Sequence, residues 1–357
     1  MPSIDYLKEI NDLVTSVVES GGSDLHLSVG RHPTVRVSGT LVPLVKKPMM
    51  TPELIEGIVF SMIKESQKTE LLAKGDLDFA YNAANKARFR CNAFRQKGYM
   101  GLAMRFIPSE IKNLEDLNVP DLLRTFALKQ QGFFLVVGPT GHGKSTTLAA
   151  MIDIINHEMN QHIVTIEDPI EYLFIQDKST IDQREVGTDA EDFPRALRAM
   201  FRQDVDVAMI GEMRDPDSIA IAVTAAETGH MVFSSLHTNN ASQTVDRIID
   251  SFQADQQNQI RLQLAGSLLG IFSQRLVPRI SGGLIPAYEL LIANTAIRNL
   301  IREGRTHEID IVIETSSSEG MISLNSSLLN LVRSGEISMD NALAFSLNPK
   351  ALVDLNS

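Results

Sequence analysis

A chain of 357 residues, 43% apolar and 22% charged, has material for roughly two to three domains with cores of their own. A net charge of −11 argues against a protein that coats nucleic acid, and no apolar run is long enough to span a bilayer. Cys91 stands alone, which excludes an internal disulfide or a multi-cysteine zinc site and suits a reducing cytoplasm, while the acids near the start speak against a signal peptide.

From the N-terminus, Ile10, Leu13, Val14, Val17 and Val18 recur at helical spacing and predict a helix over 4–18, stopped by Gly21-Gly22. Asp24–Val29 alternates as a strand, and Thr34–Val37 follows, with a turn at Ser38-Gly39-Thr40 and a return through Leu41-Val42. His26 falls on the polar phase of its strand and is expected to be solvated. Thr51 as a cap and Pro52 at the first helical position open a helix over 51–73.

Two alternating runs, Ala87–Phe94 and Tyr99–Phe106, meet at Gln96-Lys97-Gly98 and read as a hairpin. Matching their apolar faces pairs Phe89 with Phe106 and Cys91 with Met104, which sets Arg90 opposite Arg105. Like charges placed opposite one another are mildly destabilising. Either the two arginines are solvated on an open face, or they form an anion-binding pair suited to an anion from another subunit. Pro108 and Ser109–Asn118 form the predicted linker.

The run Phe133–Val137 is followed by Gly138-Pro139-Thr140-Gly141-His142-Gly143-Lys144-Ser145-Thr146 and then by an amphipathic run to about Met159. Strand, glycine loop and helix in that order make a phosphate site: the glycines let backbone N–H groups turn around phosphate oxygens, and the helix N-terminus adds its positive end. Lys144 reaches the β- and γ-phosphates, and the Ser145 hydroxyl ligates Mg²⁺. The chain is thereby expected to bind a nucleoside triphosphate.

Further strands are predicted at His162–Ile166, Asp206–Ile210 and Met231–Leu236, alternating with helices as in a parallel sheet covered on both faces. Ligands in such sheets sit at the carboxyl ends of strands. The second strand ends in Glu167-Asp168-Pro169-Ile170-Glu171 and the third in Gly211-Glu212-Met213-Arg214-Asp215. Glu212 is the candidate that polarises the attacking water, with Glu167 second, or holding Mg²⁺ through water. Asp215 and Asp217 read as caps of a helix over 218–228. His230 and His237 bracket the fourth strand about 20 Å apart, so His237 belongs to the ligand end and His230 to the far end. Beyond these, 256–275 and 321–345 read as helices and Pro286–Leu291 as a short strand. Ala296–Glu303 reads as an amphipathic helix, capped by Asn294 or Thr295 and ended by Gly304.

These segments resemble the Walker A (Gly138–Thr146), Asp box (Ile166–Glu171), Walker B (Gly211–Asp215) and His box (Thr228–Asn239) of the secretion ATPases, the superfamily of type II and type IV secretion and pilus motors. Gly22–Leu27 extends the similarity to nearly the whole chain, and Ala296-Ile297-Arg298-Asn299-Leu300-Ile301-Arg302-Glu303 is similar to a sequence associated with pilus retraction ATPases. The resemblance implies an α/β protein: a PAS-like α+β N-terminal domain over 1–108, a linker over 109–118, and a RecA-like P-loop ATPase domain over 119–357 whose C-terminal helical region spans 293–357. It implies a cytoplasmic homohexamer, peripheral at the inner face of the inner membrane, that hydrolyses ATP with Mg²⁺ to retract a type IV pilus and drive twitching motility. The partner implied is the platform protein of the pilus, with pilin engaged indirectly and no stable nucleic acid. Catalytic glutamate maps to Glu212, the His box to His230 and His237, and the arginines that reach the nucleotide to Arg90 and Arg105. His142 stands where serine is common, Val205 where proline is usual and Ser235 where threonine is common; none removes a required group. The alternatives are an assembly or secretion ATPase of the same superfamily, a nucleic-acid translocase, and an accessory retraction protein that works only alongside a stronger motor.

Overall fold

The computed structural model describes residues 5–37, 39–83, 87–107, 110–213 and 215–356. Ile4 of the first predicted helix, Ser38 of the predicted turn, Pro108 and Ser109 of the predicted linker and Arg214 after the third strand lie outside the described residues. The chain divides into two units, one taking in residues up to Glu110 with Glu171–Leu173, the other Ile111–Ile170 and Phe174 onward.

In the first unit, α1 (Tyr6–Glu19), α2 (Pro52–Met62) and α3 (Glu65–Lys74) accompany β1 (Gly22–Leu27), β2 (Thr34–Val37), β3 (Thr40–Pro43), β4 (Asp76–Ala83), β5 (Ala87–Gln96) and β6 (Tyr99–Ile107). Gly22, expected to end the first helix, opens β1 instead. The strands form an antiparallel sheet in the order β3-β2-β1-β6-β5-β4. One core gathers Ile10, Leu13 and Val17 of α1 with Leu25, Leu27, Phe89, Cys91 and Met104 of the sheet. The helix expected over 51–73 is broken, because Ile63 and Lys64 are extended and Gln67 accepts the Lys64 N–H at 3.1 Å to start a new helix. The hairpin has the expected register, with Phe89 on Phe106, Cys91 on Met104 and Arg90 on Arg105. Its turn is Lys97-Gly98, both at positive φ (50° and 84°), the geometry that matches strand twist and that glycine adopts without strain. Burial pushes the Cys91 thiol up, which leaves it an inert core residue. His26 departs from expectation: it is half-buried, and its Nε2 is sealed from solvent without a partner among the described residues.

The second unit is built on seven strands, β7 (Gly132–Val137), β8 (His162–Glu167), β9 (Thr180–Glu185), β10 (Val207–Ile210), β11 (Met231–Leu236), β12 (Leu268–Pro278) and β13 (Leu284–Ile292), in the order β13-β12-β7-β11-β10-β8-β9. All neighbours are parallel except β12 and β13. Every residue of β7 is buried, and its side chains alternate between two cores: Phe133, Leu135 and Val137 face one, Phe134 and Val136 the other. That explains the unbroken apolar run in place of an alternating one. The helices are α4 (Leu122–Ala127), α5 (Lys144–Glu158), α6 (Phe193–Met200), α7 (Pro216–Glu227), α8 (Ala241–Asp250), α9 (Ala254–Ser267), α10 (Thr295–Glu303), α11 (Ile309–Thr315), α12 (Leu324–Arg333), α13 (Met339–Phe345) and α14 (Pro349–Asn356). Parallel sheet and covering helices make the second unit the RecA-like part of the α/β fold, and the antiparallel sheet with its helices makes the first the PAS-like α+β part.

Two expectations for the C-terminal part are corrected. The helix expected over 256–275 stops at Ser267, and Leu268 onward is strand β12. Arg298 fixes the stopping point: its guanidinium donates to the carbonyls of Ala265 (2.6 Å), Gly266 (2.7 Å) and Leu268 (2.8 Å), groups a helix end leaves unpaired. The helix expected over 321–345 is two helices separated at Gly335, which has φ +75°. α10 runs as expected, with Asn294 accepting the Ile297 N–H at 3.0 Å and Gly304 in the left-handed region.

Glu289 of β13 is 7% exposed and accepts the Ala241 N–H at the start of α8 at 2.8 Å. Burial pushes its carboxyl from 4.5 up to about 7, with Asp310 and Glu314 raising it further and Arg275 opposing. Between those values the folded chain holds a proton that the unfolded chain has released, so stability falls as pH rises through the window. Glu289→Gln keeps the acceptor without the charge. Thermal unfolding is expected to show the variant more stable than wild type at about pH 8, by about 3 kcal/mol at most, with the difference gone below about pH 4.

Candidate nucleotide-hydrolysis site

Four neighbouring parallel strands, β7, β11, β10 and β8, carry at their carboxyl ends the glycine loop, His237, Glu212 and Glu167 in that order. Adjacent strands lie about 4.8 Å apart, so sheet order sets which of these groups can meet.

The loop depends on its glycines at two points. Gly138 has φ +145°, and a Cβ there would lie 2.4 Å from the Gln274 carbonyl oxygen; Gly143 has φ +81°, and its Cβ would lie 2.9 Å from Gln274 Nε2. Both are close approaches to β12, on the side away from β11. Lys144 opens α5 and is 7% exposed. Its ammonium donates to the Pro139 carbonyl (3.0 Å) and lies 3.2 Å from His237 Nδ1, while Thr140 Oγ1 is 3.4 Å from the same nitrogen. The other ring nitrogen of His237, Nε2, lies 3.2 Å from Glu212 Oε1. The structure therefore links Lys144, His237 and Glu212 in one chain of polar contacts across three strand ends. Ser145 sits in the first turn of α5, half-buried, its hydroxyl without a partner among the described residues. A free hydroxyl there fits a Mg²⁺ ligand that shares the ion with bound phosphates.

Glu167, at the next strand end, and His230 are held by other partners. Glu167 is 5% exposed, and its Oε1 accepts from Thr165 Oγ1 at 2.7 Å and from Gln183 Nε2 at 3.5 Å. His230 precedes β11, with Nδ1 3.0 Å from the Ala225 carbonyl and its ring edge against Phe201. It is at the other end of the strand from His237, so the structure does not bring it to the cluster. In the first unit, Arg90 is exposed and unpaired among the described residues, whereas Arg105 Nε donates to Asp24 Oδ1 at 2.9 Å. Burial works against the Asp24 charge, yet hydrogen bonds from Ser23 and Arg105 outweigh it and hold the carboxyl below its usual value. The expected pair of free arginines is thus one free and one held.

The strand missed in the sequence supplies further residues. On one face of β12, Gln274 accepts from Thr147 Oγ1 (2.7 Å) and donates to the His142 carbonyl (2.6 Å), and the Leu276 N–H donates to His142 Nδ1 (2.9 Å). On the other face, Ser273 donates to the Asn239 carbonyl (3.0 Å) and Arg275 to Asn239 Oδ1 (2.9 Å). Strand alternation thus turns the Gln274 side chain to the phosphate loop and those of Ser273 and Arg275 to the segment after His237, while Leu276 reaches His142 through its backbone N–H. His142 gains a side-chain role: burial, with Arg275 and Lys144 nearby, holds its imidazole below its ordinary value, so Nδ1 stays free to accept. Ser235 closes the framework, its hydroxyl donating to the Gly211 carbonyl at 2.6 Å next to Glu212. The unbroken run Leu268-Leu269-Gly270-Ile271-Phe272 fits a buried strand, but a buried helix segment as well, so it did not mark β12 by itself. Gln274→Leu leaves the Thr147 hydroxyl and the His142 carbonyl without that partner, and about 1–2 kcal/mol is at stake. ATPase kinetics are expected to show kcat/KM for ATP reduced about tenfold, with the melting temperature lowered by only about 2–8 °C.

Residues 5–341 match the family model of type II/IV secretion system proteins. Over 334 residues the chain is 40% identical to the type IV pilus retraction ATPase PilT of Pseudomonas aeruginosa, covering 94% of this chain and 97% of that one. Over 337 residues it is 39% identical to the type IV pilus ATPase PilU of the same organism, covering 94% and 88%. The crystal structure of the pilus retraction motor PilT with bound ADP superimposes with a TM-score of 0.91 at 42% identity, covering 97% of this chain and 99% of the other. With the phosphate loop and strand order described above, these likenesses establish that the chain belongs to the type II/IV secretion system protein family of ATPases.

Proposed function

We propose that this chain is the ATP-hydrolysing motor of type IV pilus retraction. The observation that carries the chemistry is the Lys144–His237–Glu212 chain at the mouth of the glycine loop. The observation that carries its use is the 40% identity, over 94% of the chain, to a relative named for retraction. The type II secretion proteins E match less of the chain: that of Klebsiella pneumoniae is 33% identical over 77% of it, and the putative one of Escherichia coli is 43% identical over 47% of it.

In this reading residues 1–108 form the PAS-like domain and 119–357 the ATPase, and six copies form a ring on the cytoplasmic face of the inner membrane. Among the described residues no helix is long and apolar enough to cross a membrane, so attachment runs through the pilus platform protein, with pilin engaged indirectly. The loop N–H groups and Lys144 take the β- and γ-phosphates, and the ammonium exchanges its bonds to Pro139 and His237 for phosphate oxygens. Mg²⁺, when bound through Ser145, neutralises charge that develops on those oxygens. His237, released from Lys144, is placed to donate to the terminal phosphate. Glu212 is placed to accept a proton from the attacking water, and Glu167 holds the adjoining strand end. Arg90, and Arg105 once it exchanges Asp24 for phosphate, contribute positive charge from an N-terminal domain. In α10, Ile297, Leu300 and Ile301 are buried and Arg298 is spent on α9, which leaves Thr295, Ala296, Asn299, Arg302 and Glu303 exposed, and of these Asn299 and Arg302 share one helix stripe that meets the retraction machinery.

The test is a deletion strain complemented with wild type or Glu212→Gln. The variant is expected to hold ADP but to lose about 10²–10⁴-fold in kcat, and its strain to keep surplus pili that do not retract. Normal turnover by the variant contradicts the catalytic role of Glu212. Absence of pili in the deletion strain contradicts retraction and favours assembly.

A further inference from the structure

The first unit contains a cavity of about 480 Å³ that the nucleotide chemistry does not use. It is lined by His26, Ser28 and Val29 from β1 and its end, by Arg31, His32 and Thr34 before and within β2, by Leu41, and by the hairpin residues Gln96, Lys97 and Tyr99. Three features point to an occupant.

The first is charge. The chain carries 44 acidic against 33 basic residues, yet the cavity has Arg31, Lys97 and two histidines on its walls and no carboxylate. Arg31 and Lys97 are exposed and make no ion pair among the described residues. The nearest acid along β1, Asp24, is already held by Arg105 at 2.9 Å and Arg36 at 3.7 Å. The second is the unpaired atom. Nε2 of His26 is buried with no hydrogen-bond partner among the described residues, and an unmet buried polar group costs about 1–3 kcal/mol, a cost relieved when the ring turns toward a polar group in the cavity. The third is shape. Tyr99 and Leu41, each 50% exposed, and Val29 give the cavity apolar wall beside its polar groups, the mixture found in small-molecule sites. His32 is fixed in place by its Nδ1, 2.7 Å from the Lys47 carbonyl, which leaves its Nε2 as the ring's remaining polar group.

We propose that this cavity is a second anion site, separate from the phosphate loop, that takes a small organic anion: a phosphate or carboxylate on a flat apolar body of about mononucleotide size. The cationic side chains Arg31 and Lys97 bind the acid group, and the His26 ring, once it turns outward, meets a polar atom of the body. Lys97 also lies in the tight turn between β5 and β6, the strands that carry Arg90 and Arg105, so an occupant holds that hairpin by its end.

The test is isothermal titration of the full chain, its phosphate loop already saturated with ADP, with AMP as the phosphate probe and benzoate as the carboxylate probe. One molecule of at least one probe is expected to bind per chain. Binding is expected to weaken at least tenfold in Arg31→Ala/Lys97→Ala and to weaken with salt, while it survives Lys144→Ala. Because both cations are exposed, the double variant is expected to melt with wild type; should it not, the single variant Lys97→Gln gives the same comparison. Absence of binding by both probes at millimolar concentration overturns the proposal. So does equal affinity in the double variant, or loss of binding in Lys144→Ala, which places the probe in the phosphate loop.

Discussion

The phosphate loop keeps its shape because β12 lies against it. A glycine loop has little to hold it: its residues carry few side chains, and its N–H groups must stay free for phosphate. Here the restraint comes from outside, through Gln274 bridging Thr147 and the His142 carbonyl, and through the Leu276 N–H on the His142 ring. Gly138 and Gly143 are the other half of the same constraint, since a side chain at either would strike Gln274. With the loop fixed, Lys144 at the start of α5 is fixed, and so is the reach of its ammonium toward His237.

The opposite face of β12 extends the restraint to the segment after His237 through Ser273 and Arg275. The two pieces that must close around a triphosphate are therefore referred to one strand, and a shift of that strand moves both. β12 pairs with β13, and the two strands pack on the C-terminal helices, where Asn341 donates to the Pro278 carbonyl at 3.0 Å and Arg279 meets Glu336 at 3.1 Å. The second unit thus has a continuous covalent and hydrogen-bonded route from its C-terminal helices to its catalytic end. Arg298 and Glu289 brace the same region, one by ending α9 and the other by capping α8 at a cost in buried charge.

The chemistry-bearing residues were legible in the sequence because their signals are local. A glycine loop between an apolar strand and a helix, or an acid directly after a buried strand, needs no tertiary knowledge, and the register of the Arg90–Arg105 hairpin followed from matching two apolar faces. What failed to show was whatever tertiary contacts decide. Leu268–Phe272 continues an apolar pattern that suits helix or strand equally, and only Arg298, some 30 residues on, ends the helix there. β9 is a polar edge strand with Ile181 and Glu185 as its buried residues, too weak a pattern to recognise alone. Asp24 claims Arg105 from a strand about 80 positions earlier, and His26 is sealed on a face that alternation alone marks as open. Gln274 was hidden by the same error as β12: on a helix it is an ordinary surface residue, on a strand beside the loop it is a brace.

That brace is tested most directly by a double-mutant cycle between Gln274 and Thr147, read in kcat/KM for ATP. If β12 sets the loop through this bond, Thr147→Val and Gln274→Leu each cost activity and the double variant costs less than their sum, with a coupling of about 1 kcal/mol or more. Additivity within about 0.3 kcal/mol would mean that the two side chains act independently, and that the loop takes its shape from somewhere other than β12.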